Sequence, residues 1–114
     1  MPSPAAYTIY FFALPTFLLG LRGLWDPTSS LQTLNLPAAA APSVQASSLG
    51  AIAISIFYCL AAYQENRAFF KWSLLTRSLT TAWALRMGGG WTALGVWEGV
   101  GALGTAVALA VGRA

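Results

Sequence analysis

The chain has 114 residues, of which six are Lys or Arg, three are Asp or Glu and none is His. Charged residues make up 8% and hydrophobic ones 57%, against about 25% charged in an ordinary soluble domain. A domain this small leaves much of its surface in its solvent, and so few charges would leave that surface apolar. A water-soluble fold is therefore excluded, and the bilayer is the natural solvent.

The first apolar stretch, Tyr7–Trp25, predicts a membrane helix with Pro15 loosening its middle. Residues 1–21 hold no Lys or Arg and no small-x-small cleavage site follows, so the stretch reads as a retained helix and not a signal peptide. Arg22 and Asp26, four apart, are placed to pair across its end. Residues 26–48 carry Pro27, Pro37 and Pro42 among small polar residues and form the only long loop expected. Leu31, Leu34 and Leu36 are positioned to dip into the interface.

The second helix is expected over Leu49–Tyr63, with a small-residue lead-in, Ala38–Ser48, able to extend it by a turn or two. A short turn around Gln64-Glu65-Asn66-Arg67 leads to the third helix, Ala68–Arg86. Gly88-Gly89-Gly90 permits a tight turn into the fourth, Trp91–Val111. At 1.5 Å rise per residue these helices are roughly 22–32 Å long, bracketing the hydrocarbon thickness. No period-two alternation supports a β-barrel. The expectation is an all-α, integral membrane four-helix bundle, up-down-up-down, forming one domain over residues 1–114. Arg67, Lys71 and Arg113 on the terminal side outnumber Arg22 and Arg86 on the other, which favours cytoplasmic termini.

Composition also restricts the chemistry. Without His there is no Ser-His-Asp or Cys-His machinery and no His-ligated metal. The single cysteine, Cys59, excludes an intramolecular disulfide or a cysteine cluster, and within IAISIFYCLAAY it reads as a small core residue. The net charge of +3 comes from scattered residues. No nucleic-acid partner is implied, and attraction to anionic headgroups accounts for the sign. Any reaction must run without a cofactor, on three carboxylates, a few arginines, tyrosines and tryptophans.

Glu98 lies seven positions into the fourth helix, roughly 10 Å below the interface at helical rise. A carboxylate there must be paired, protonated or facing a wet cavity. Trp91, Leu94, Gly101 and Thr105 share its face, and Gly95, Gly99, Ala102 and Ala106 form a neighbouring small stripe with a GxxxG spacing. That stripe is suited to a close helix partner, including a second copy in a homo-oligomer. Arg77 is twelve residues before Gly89 and Glu98 nine after it. In a tight hairpin this brings an Arg77–Glu98 pair within an arginine's reach, across about 4–5 Å of register. Such a pair either fixes helix register or marks a polar cavity. Tyr58, Ala62 and Glu65 are spaced so that Glu65 can look back into the bundle.

The runs GLRGLWDP, AAYQENRAFFKWSLLTR and LGVWEGVGAL resemble a family of small four-helix membrane proteins common in fungi, some encoded beside polyketide or terpenoid biosynthetic genes. The resemblance covers nearly the whole chain. It implies a membrane enzyme, in the endoplasmic reticulum, that opens an epoxide on a lipophilic intermediate by hydrolysis or cyclisation, or isomerises it. Carboxylates and tyrosines can do this without metal. The candidate catalytic residues are Glu98, Asp26, Glu65 and Arg77, with Tyr63, Trp91, Arg22 and Tyr58 lining the substrate site. Asp26 and Glu65 fall on opposite membrane sides, so the partner of Glu98 is left open. A non-catalytic membrane adaptor and a transport component are the competing classes.

Overall fold

The computed structural model describes residues 1–112; Arg113, counted above for orientation, lies outside them. The described residues are all-helical: α1 (Pro4–Trp25), α2 (Thr28–Thr33), α3 (Ala41–Tyr63, entered through a 3-10 turn at Ala38–Ala40), α4 (Arg67–Met87) and α5 (Trp91–Val111).

Local signals set the ends of these helices. Pro4 occupies the first turn of α1 and Ser3 Oγ accepts the Ala6 N–H at 3.1 Å, so the helix starts three residues earlier than expected. Asp26 ends it and accepts the Thr28 N–H at 3.1 Å. Asn35 adopts a positive φ of 56° while the Leu36 N–H returns to the Leu31 carbonyl at 2.8 Å, closing α2. The expected 26–48 loop is thus mostly helical, and Ala41–Ser48 forms the first two turns of α3. At its other end, Glu65 (φ 54°) turns the chain and Asn66 Oδ1 accepts the Phe69 N–H at 3.0 Å, capping α4.

The interior mixes small residues with a few large ones, Ile9, Phe12, Tyr58, Phe70 and Leu109, while many large apolar residues lie on the surface. Ala5, Ala6, Ala13, Ala61 and Ala62 are buried, whereas Phe11, Leu18, Phe57, Leu79 and Leu103 face outward. Small residues inside let helix backbones approach, and large apolar residues outside suit lipid. Gly20 and Gly23 of α1 bear on Ser48 of α3, Gly95 of α5 on Ala84 and Leu85 of α4, and Gly99 on Thr81. The GxxxG stripe offered to a second copy is therefore covered by α4 of the same chain. α1 packs closely on α3 and α4 on α5, while the α1/α5 seam is looser.

Three helical segments are long and apolar enough to cross a membrane: Pro4–Trp25, Ala38–Tyr63 and Trp91–Val111. α4 does not reach that hydropathy, because it carries Arg67, Lys71, Arg77 and Arg86 and a run of Ser and Thr. Four of those five hydroxyls are satisfied within the helix. Ser73, Thr76, Thr80 and Thr81 donate to the carbonyls of Phe70, Ser73, Thr76 and Arg77.

Candidate functional site

Two turns into α5, Glu98 forms part of the wall of an open-sided cavity of about 610 Å³ between α1, α2, α3 and α5. Thr16 and Leu19 of α1, Leu34 after α2, Ser43 and Ser47 of α3, and Trp91 and Trp97 of α5 complete much of the lining. Leu34 and Leu36, expected at the interface, also line it. Glu98 Oε2 is buried and has no hydrogen-bond partner, which is costly for a polar atom in an apolar setting. A carboxyl in such a place can give a proton to a bound molecule and take one back.

Arg77 is 2% exposed, in the middle of α4. Its Nη1 donates to Thr105 Oγ1 at 3.1 Å, and its guanidinium carbon stands 4.3 Å from the centre of the Phe12 ring, a cation–π contact. Nε and Nη2 have no partner. The guanidinium rests over Gly101, where a Cβ would collide with Nη2 and crowd the Phe12 ring. Glu98 stands one turn to one side of Gly101 and Thr105 one turn to the other. The hydrogen bond made is to Thr105; no hydrogen bond joins Arg77 to Glu98.

The other two carboxylates lie elsewhere. Asp26 is exposed at the end of α1, its Oδ1 occupied by the Thr28 N–H. Its backbone N–H donates to the Arg22 carbonyl at 2.8 Å. Glu65 is at the far end of the molecule, where its Oε2 accepts the Ser3 N–H at 3.0 Å. It is exposed beyond the end of α3, turned out and not back into the helices. The Ser3 hydrogen bonds hold the Glu65 carboxyl below its ordinary range.

Among the expected lining residues, Trp91 borders the Glu98 cavity and meets Trp83 edge-on at 5.0 Å. Arg22 borders a neighbouring cavity of about 360 Å³ beneath α2, together with Trp97. Tyr58 is buried, 5.7 Å from the Phe12 ring and 5.1 Å from Phe69, centre to centre. Tyr63 is 81% exposed on the end shared with Glu65. The structure thus brings Glu98, Trp91 and Trp97 to one cavity and leaves Asp26, Glu65 and Tyr63 away from it.

Trp97, Ser43 and Ser47 are additional lining residues that the sequence reading did not single out. The serines are four apart and share a helix face, a spacing that carries meaning only once Ala41–Ser48 is helical. No protein-family model, no curated protein and no solved structure matches the chain.

Proposed function

We propose that this chain is a multi-pass protein of the endoplasmic reticulum membrane, its four long helices crossing as an up-down-up-down bundle. It acts without a cofactor as an enzyme on a lipophilic small molecule, such as a polyketide or terpenoid intermediate. The observation that carries this reading is Glu98. It is a carboxyl well inside an apolar helix, at the wall of a cavity large enough for a small ligand.

In the proposed reaction the Glu98 carboxyl donates its proton to an epoxide oxygen as the adjacent carbon–oxygen bond breaks. A water, or a hydroxyl of the substrate itself, forms the new carbon–oxygen bond and releases a proton that returns to the Glu98 carboxylate. Water gives a diol; an internal hydroxyl gives a ring. An isomerisation uses the same group, which removes a proton from one carbon while its second oxygen returns one to another. Apolar walls hold the hydrocarbon, and the Ser43 and Ser47 hydroxyls stand ready for its oxygen functions. The fungal biosynthetic family it resembles supports the same chemistry.

The test is product formation from a panel of lipophilic epoxides by membranes containing the protein. Glu98→Gln, close in size and unable to exchange a proton at neutral pH, should reduce turnover at least a hundredfold, within the range for acid–base groups, and leave the fold intact. Turnover in Glu98→Gln equal to that of the parent protein removes Glu98 from the mechanism.

A further inference from the structure

The loose α1/α5 seam holds a second cavity, of about 400 Å³ and likewise open-sided, bordered by Tyr7, Thr8, Phe11 and Phe12 of α1 and by Trp97, Val100, Gly101 and Gly104 of α5. Its position relative to the Glu98 cavity follows from the antiparallel run of the two helices. On α1 the Glu98 cavity takes residues 16–20 and the second takes 7–12; on α5 the first takes 91–98 and the second 97–104. The two cavities therefore lie end to end. Tyr7 to Gly20 and Trp91 to Gly104 each span about 20 Å at helical rise.

Trp97 borders both cavities. Its indole stacks on Phe12 with ring centres 5.8 Å apart and planes 19° apart, so an aromatic pair stands across the seam where they meet. The indole Nε1 has no hydrogen-bond partner. Packing alone holds this side chain, and its removal strands no polar neighbour.

We propose that the two cavities are one channel for an elongated, neutral lipophile, and that Trp97 is the partition that sets the chain length admitted beside Glu98. With Trp97 in place a ligand ends at the indole, within the 610 Å³ cavity. Removing the indole adds the 400 Å³ beyond it and admits a molecule about twice as long. The inference rests on the reading of the Glu98 cavity as a lipophile site. Trp97 is a specificity-determining residue in this scheme and takes no part in proton transfer.

The experiment uses the whole protein in phosphatidylcholine nanodiscs and two probes, 1,2-epoxyoctane and 1,2-epoxyhexadecane, each carrying a diazirine at the far end. After illumination, labelled peptides are mapped, counting only label that excess unmodified epoxide competes away. In the parent protein the short probe should label the segments 16–20 and 43–51, with the long probe giving at least tenfold less competed label. In Trp97→Ala the long probe should gain at least tenfold and label 7–12 and 100–104. A Cβ at Gly104 meets nothing within 4 Å, so Gly104→Leu starts its side chain in open space and takes up part of the second cavity. Combined with Trp97→Ala it should cancel the gain, and alone it should change nothing. Trp97→Phe, which keeps the stack on Phe12, should give a smaller gain in the same direction and serves should the Ala variant misfold.

Equal labelling by both probes in the parent protein overturns the proposal, as does a length profile unchanged by either substitution at Trp97. Loss of long-probe label in Gly104→Leu alone also overturns it, because the ligand would then already occupy both cavities. Absence of competed label from either probe sinks the lipophile site itself. A length shift in Trp97→Ala alongside full turnover in Glu98→Gln leaves the channel standing and removes only the proton chemistry.

Discussion

The Arg77 guanidinium and the Thr105 hydroxyl meet across α4 and α5 at 3.1 Å, and the same hydroxyl lies 2.8 Å from Thr8 Oγ1 on α1. One side chain, 0% exposed, thus links three helices at the depth of the buried arginine. Thr105→Val keeps the shape and removes the link, leaving Arg77 with no hydrogen bond. The expected loss is about 1–3 kcal/mol, the cost of stranding a buried donor, read from denaturant or thermal unfolding in detergent. Thr105→Ser should restore most of it. Equal stability of the Val variant would mean that the guanidinium finds another acceptor.

Two glycines on α5, three residues apart, should respond in opposite directions. At Gly101 a methyl runs into Arg77 Nη2 and the Phe12 ring, and Gly101→Ala is expected to destabilise by about 1–3 kcal/mol through overpacking. At Gly104 the space is open, and Gly104→Ala should stabilise by up to about 1 kcal/mol through helix propensity. Unfolding midpoints of the two variants, measured side by side, check the difference in sign.

A clasp between the first residues and the α3–α4 turn should depend on pH. Hydrogen bonds from Ser3 lower the folded-state Glu65 pKa below its ordinary 4.5. The stabilisation is therefore present above that ordinary value and is lost as pH falls through the lowered one. The protection of the Ser3 amide against hydrogen exchange, measured relative to its intrinsic rate at each pH, should fall in that acid window, and in Glu65→Gln it should already be low at neutral pH with no acid step. An acid step surviving in Glu65→Gln would assign the titration to another group.

The proposed four-span topology predicts the accessibility of single cysteines placed in a Cys59→Ser background. Positions 64 and 3 should react with a membrane-impermeant thiol reagent from one side, and positions 35 and 89 from the other. Were α4 to lie on the surface and leave three spans, positions 64 and 89 would react from the same side.

Much of the architecture was legible in the sequence because its signals are local. The apolar runs, the polar turn at Gln64-Glu65-Asn66-Arg67 and the glycine turn set three of the four long helices to within a few residues. The start of α3 was legible only as a lead-in able to extend the helix by a turn or two, since Pro42 and a string of small residues also resemble a linker until they are seen against α1, where Gln45 Nε2 donates to the Leu24 carbonyl at 3.3 Å. The depth of Glu98 could be counted along its helix. The preference of Arg77 for Thr105 could not, because Glu98 and Thr105 are almost equally placed about Gly101. Only the Phe12 ring, supplied by a helix some sixty-five residues earlier in the chain, fixes where the guanidinium rests.

The contact of Gly95 and Gly99 with α4 bears on how the chain is made. α4 is the least apolar of the long helices, and a nascent segment with a central arginine partitions poorly into lipid alone. α5 is strongly apolar and follows after three glycines, so synthesis delivers a suitable companion within seconds. A chain with four spans would thus hold α4 at the insertion machinery until α5 emerges, and the two would move laterally into the bilayer as one hairpin. Substitutions that widen the small-residue face of α5 would then lower the yield of inserted protein before any folded molecule existed to be destabilised.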